Sequence, residues 1–225
     1  KIIKFPKNQN IIMIKLKIKS WDECPIGIYR RLVDVSTDPA LSDYEITVAK
    51  TAILCDCSEE EIWELPIDTA QDLFRQTMWT SSFDFDKDLK FNKIKVGKYT
   101  CKVETDMTKF IVAQYMDFMN YWNSEDRGKE LENILTVFLV PEGHKYGTGY
   151  DVADLKEEIT WNVSISIAQS ICFFFLKELV RSIKVSQIFL DYQLQRMEKK
   201  GTEEMKEKIR KERERLTELL SFLLS

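Results

Sequence analysis

Val163-Ser164-Ile165-Ser166-Ile167-Ala168-Gln169-Ser170-Ile171-Cys172-Phe173-Phe174-Phe175-Leu176 is the most apolar run in the chain, and its reading decides the fold. A membrane-spanning helix needs about 20 consecutive, mostly apolar residues. This run is shorter and is interrupted by Ser164, Ser166, Gln169 and Ser170. Taken with its flanks, residues 161–197, it places Ile165, Ala168, Cys172, Phe175, Leu179 and Ile183 on one face at helical spacing. The expectation is a long, buried helix inside a packed helical domain, with no membrane partner.

Helical spacing continues upstream. Val152, Leu155 and Ile159 mark a helix beginning near Asp151. Before it lies a loop with Gly147, Gly149, Tyr146 and Tyr150. Residues 125–140 carry Leu131, Ile134, Leu135, Phe138 and Leu139, and Pro141-Glu142-Gly143 stops that helix. Residues 106–122 give the clearest amphipathic pattern, through Met107, Phe110, Ile111, Gln114, Tyr115, Phe118, Met119 and Trp122. A Met and aromatic stripe of this kind reads as core, with a partner-binding groove as the alternative.

Ser42 with Glu45, and Ser58 with Glu61, are capping boxes that satisfy free N–H groups at a helix start. The first opens a helix with Ile46, Ala49 and Ile53. The second opens a short one that ends at Pro66, since the residue before proline disfavours helical geometry. Asp68 with Gln71 starts a third, carrying Leu73, Phe74 and Met78. Residues 21–40 hold Pro25, Gly27 and Pro39 and read as irregular. Two segments have strand periodicity. In residues 12–19, Ile14, Leu16 and Ile18 alternate with Lys15, Lys17 and Lys19. Residues 89–104 read as a β-hairpin turning at Gly97. The expected class is α+β, predominantly α-helical, with an N-terminal strand and a small antiparallel β-hairpin. The expected segments are a basic arm (1–20), a mainly helical domain (21–197) and a charged C-terminal helix (201–225) with a hinge at Gly201. In that last helix Met205, Ile209, Leu216, Leu220 and Leu223 form a heptad-like seam, a candidate interaction surface.

The 225 residues carry a net charge of only -4, unevenly placed. The first 19 residues hold six lysines and no acid, whereas residues 22–72 hold thirteen acids against Arg30, Arg31 and Lys50. A basic arm beside an acidic face offers head-to-tail contact between copies, with Lys15, Lys17 and Lys19 as candidate contact residues. Two other readings stand beside it: nucleic-acid binding, or lysines that deter edge aggregation. The C-terminal helix mixes cations with acids, which offsets phosphate attraction, so direct nucleic-acid binding is disfavoured.

Catalytic raw material is thin. There is one histidine, His144, and no phosphate-binding glycine motif. The five cysteines lack a framework or zinc-ligand spacing, which indicates reduced thiols. Asp84, Asp86 and Asp88 alternate, but Leu89 and Lys95 stand where a calcium loop needs Gly and Glu. Glu59, Glu60, Glu61 and Glu64 suit the first turn of a helix. The expectation is a protein that is not an enzyme, with no metal and no cofactor. No signal-peptide pattern is visible, and with Lys1 in first place a leader ahead of it is left open.

Three segments carry a resemblance: Glu60-Glu61-Ile62-Trp63-Glu64-Leu65-Pro66, Met107-Thr108-Lys109-Phe110-Ile111-Val112-Ala113-Gln114-Tyr115-Met116-Asp117, and Leu135-Thr136-Val137-Phe138-Leu139-Val140-Pro141-Glu142-Gly143-His144-Lys145-Tyr146. Their order, with a hairpin between the first two and a Phe-rich helix after the third, resembles a group of structural or assembly proteins of tailed bacteriophages, especially crAss-like phages of gut Bacteroidales. It spans roughly residues 55–180 and leaves out the lysine arm and the C-terminal helix. The resemblance implies a neck or tail ring subunit, or a tail assembly chaperone, made in the host cytoplasm. Its implied partners are copies of itself and other virion proteins. It assigns no binding residue.

Overall fold

The computed structural model describes residues 14–82, 91–104, 106, 109–124, 128–197 and 202–224, apart from the side chains of 182, 195–197, 219 and 222–224. It is mostly helical with one three-stranded antiparallel sheet, which is the α+β, predominantly helical class the periodicities predict. The chain divides into two compact units. One comprises Lys1–Phe85 and Glu157–Ile167, the other Asp86–Lys156 and Ala168–Ser225.

The first unit is built round α2 (Asp43–Cys55), which packs against α1 (Ile26–Thr37), α3 (Glu59–Trp63) and α4 (Ile67–Thr77). Both capping boxes form. Ser42 N donates to Glu45 at 2.8 Å, Glu45 N donates back to the Ser42 hydroxyl, and Ser58 and Glu61 repeat the exchange. The last turns of α2 are buried from Thr51 to Cys55, and Asp56 closes the helix in the left-handed region at φ 54°.

Three expectations need correction here. Residues 21–40 are not irregular, because α1 occupies most of them. Pro25 is the N-cap and Pro39 follows the C-cap, so the prolines bracket a helix without breaking it. Gly27 sits in the first turn because the Trp161 ring lies on it. A Cβ there would come within 2.6 Å of that ring. The helix α4 starts from Pro66, with Asp68 already inside its first turn. Residues 14–19 keep the predicted alternation, with Leu16 buried and the three lysines exposed, but they join no strand ladder. The Lys17 and Ile18 N–H groups both donate to Leu54 O, at 2.9 and 3.3 Å. The end of a helix leaves carbonyls unpaired, and this extended segment satisfies one of them. Residues 12 and 13 lie outside the described residues.

The second chain segment of this unit brings in Ile159, Val163 and Ile165, all buried. It interrupts helical structure between α7 (Val152–Asn162) and α8 (Ile165–Met197). At the interruption Ile26 N donates to Val163 O (3.1 Å) and Ile165 N to Cys24 O (2.8 Å).

The other unit contains the hairpin, β1 (Lys93–Val96) and β2 (Tyr99–Val103), joined through Gly97 and Lys98 with Val96 opposite Tyr99. Gly97 has φ +52°, the left-handed conformation a two-residue hairpin turn requires. A third strand, β3 (Leu139–Pro141), pairs with β2, Val103 opposite Leu139. The predicted helix over 125–140 is shorter, α6 (Leu131–Phe138), and its expected last turn is this strand. A brief apolar run fits helix and strand equally, so periodicity does not separate them. The amphipathic helix over 106–122 is also shorter, α5 (Val112–Trp122). Phe118, Phe138 and Phe175 meet with ring centroids 4.5–5.7 Å apart, and Phe110 stacks on Phe175. Gln114 is buried and donates to Val137 O at 2.6 Å.

The last helix, α9 (Glu203–Leu224), runs antiparallel to α8. Gln187 donates to the Thr217 hydroxyl at 3.0 Å, and Arg213 pairs with Asp191 at 2.6 Å. Gly201, the predicted hinge, lies outside the described residues, as do Asp84, Asp86 and Asp88.

Candidate interaction surfaces

The lysine edge sits where α2 ends. Lys17 pairs with Asp56, and this contact holds the Asp56 carboxyl below the usual carboxylate range. Both side chains are mostly exposed, so the pair adds little stability and orients the segment more than it anchors it. Leu16, buried beneath, is the anchor. Lys15 and Lys19 project outward.

The same unit presents an acidic surface with aromatics set in it. Glu59, Glu60 and Glu61 of α3 and its C-cap Glu64 are exposed, as are Asp68 and Asp72 of α4. Tyr44 lies against Trp63 and Phe74, centroids 5.2 and 5.8 Å apart, yet Tyr44 and Trp63 each remain about half exposed. Ile67 and Met78 are exposed as well. A separate recess of about 180 Å³ is walled by Trp21, Tyr29, Val33 and Lys50, room for one side chain and short of a drug-sized site.

The predicted seam of α9 is only partly covered. Ile209, Leu216 and Leu220 are half-buried, and Met205 is 49% exposed. The covered side chain at that end is Lys206, one position on, which pairs with Glu203 at 2.7 Å. The Leu223 side chain lies outside the described ones.

Sequence reasoning missed a further surface. On α8 Phe173 is open by itself (52%), and further along four large apolar side chains are open together: Val185 (60%), Ile188 (69%), Phe189 (57%) and Tyr192 (58%). Gln187 and Asp191, which contact α9, leave this face free. The signal was present as a second stripe at 3- and 4-residue spacing, offset from the buried one at Phe175 and Ile183. On α5 Val112, Tyr115 and Met116 are exposed, as is its N-cap Ile111, with Val112 and Met116 on the side away from Phe118. The stripe predicted for this helix is therefore divided. Phe118 and Trp122 are core, whereas Tyr115, one turn from Phe118, is exposed.

Ionisable groups act as locks. Asp154, in the first turn of α7, accepts from Lys98 (2.6 Å) and from the Tyr99 hydroxyl, tying the hairpin turn to that helix. These donors hold the Asp154 carboxyl below its ordinary range and push the Tyr99 phenol up. Tyr146 donates to Asp117 at 2.8 Å, and burial together with that bond raises its phenol strongly. Burial pushes the Cys24 and Cys172 thiols up to about 12, and Cys55 and Cys101 up to about 11, so all four stay protonated and weakly nucleophilic at neutral pH. Among the described residues no helix is long and apolar enough to cross a membrane, and no three His, Cys, Asp or Glu side chains are grouped to hold a metal. No family model, curated protein or solved structure matches the chain.

Proposed function

We propose that this chain is a non-enzymatic structural protein of a tailed-phage virion, a multimeric neck or tail ring subunit that joins larger components. The observation that carries the reading is the amount of large apolar surface left open, on α3 and α4, on α5 and on α8. Monomers rarely expose contiguous apolar patches beyond a few hundred Å², and larger ones mark contact sites. The lysine edge and the acidic surface of α3 and α4 add complementary charge, suited to a head-to-tail contact between copies, and such heterologous contacts form a ring when the rotation between copies closes. The resemblance to phage assembly proteins supports the same reading. Native mass spectrometry and electron microscopy of the full chain test it. The expected result is a defined multimer that enters a larger particle. A strict monomer that joins no particle overturns it.

The open edge of α5 favours a second reading, a tail assembly chaperone or helical adaptor that grips a partner protein. In that case Val112→Asp with Met116→Asp abolishes partner binding and leaves the chain's own mass unchanged. Unaltered binding removes this reading.

A further inference from the structure

We propose that α8 pairs antiparallel with α8 of a second copy through Val185, Ile188, Phe189 and Tyr192. This rests on the multimer reading above and names one of its contacts. At 3.6 residues per turn the four side chains fall within about 100° of arc, a seam two turns long. Each is more than half exposed although the neighbouring face of the same helix is covered by α9. Leaving this much Ile, Phe and Tyr in water is costly, and burial against another apolar seam relieves it.

The occupant follows from the edges of the seam. One edge carries Lys184 and Asp191, seven residues apart. The other carries Ser186 and Gln193, which have no charge. In an antiparallel pair each edge faces the same edge of its partner. With the two-fold axis near Ile188 and Phe189, Val185 stands opposite Tyr192 of the second copy. Lys184 then lies alongside Asp191 of the second copy, twice over by symmetry. The uncharged edges meet without repulsion. A parallel pair would instead set each charged edge beside the uncharged edge of its partner, so that no ion pair crosses the contact. The charged edges thus pair in the antiparallel orientation alone, as an isologous interface requires. Asp191 already accepts from Arg213 of its own chain, and a carboxylate has acceptor sites for a second cation.

The test uses the full chain, weighed by light scattering and native mass spectrometry across a dilution series. Ile188→Asp is expected to raise the dissociation constant of the two-copy step about 30-fold or more, as loss of a central apolar contact does. Because Ile188 is exposed, circular dichroism and thermal unfolding of the diluted variant stay as in the parent chain. Lys184→Asp alone weakens the pair, and adding Asp191→Lys together with Arg213→Asp, which keeps an ion pair between α8 and α9, restores it. A two-copy step that Ile188→Asp leaves unchanged overturns this inference and leaves a ring built on other contacts standing. A concentration-dependent dimer that responds to these substitutions and joins no particle upholds the contact and refutes the virion reading. A monomer at every concentration overturns both.

Discussion

Phe175 lies where the rings of Phe110, Phe118 and Phe138 converge, so it holds α5, α6 and α8 together. Phe175→Ala leaves a cavity that these rigid rings cannot collapse to fill, and urea unfolding should show a loss of about 3–5 kcal/mol. At Gly27 the problem is the reverse. A methyl group meets the Trp161 ring at 2.6 Å, and Gly27→Ala should cost about 1–3 kcal/mol by overpacking in the same assay. Asp154 gives a pH signature. Lys98 and Tyr99 lower its folded-state pKa below the unfolded value near 4, so its stabilisation is present above that value. It is lost as pH falls through the folded pKa. The melting temperature of Asp154→Asn should therefore lie below that of the parent chain at neutral pH, and the gap should close as the pH drops through the carboxylate range. A gap that persists at pH 2 would mean the carboxylate charge is not the cause.

At the level of the elements, local chemistry was the more legible part. The two Ser–Glu boxes start α2 and α3 as the sequence demands, and Ser42→Ala should cost about 1 kcal/mol in thermal unfolding. The hairpin was readable because Gly97 stands alone between two alternating stretches. α1 was missed because two prolines and a glycine discourage a helical reading, although proline is well placed at a helix start and just beyond its end. β3 was missed because three residues give no period, and its pairing with β2 is set by a distant segment. For the candidate surfaces the pattern is similar. The lysine edge faces solvent as alternation implies, but the helix end that receives it cannot be inferred from spacing. On α9 a heptad count favoured Met205, whereas the covered position belongs to Lys206, whose long aliphatic stem can lie along apolar surface. The open stripe on α8 was hidden by the stronger buried stripe on the same helix.

For the molecule as a whole, the proposed multimer makes charge and exposed apolar area bear on assembly more than on stability. Changing Lys15, Lys17 and Lys19 together to Glu should leave thermal unfolding nearly unchanged, since surface pairs contribute little. It should shift the native mass distribution toward smaller species, more so at low ionic strength where charges are least screened. An unchanged distribution would leave the lysines as guards against aggregation.

The first unit is assembled from two stretches, Lys1–Phe85 and Glu157–Ile167. During translation the ribosome delivers α1 to α4 long before Ile159, Val163 and Ile165 emerge. Until then Cys24 O and Ile26 N lack their partners, and the apolar positions those three residues protect stay wet. The nascent chain must carry an unfinished N-terminal half through synthesis of more than seventy intervening residues. Such a half-built surface is what chaperones recognise and what drives misassociation on crowded polysomes. Emergence of the second stretch therefore completes the first unit while Ala168–Ser225 of the other unit are still to be made.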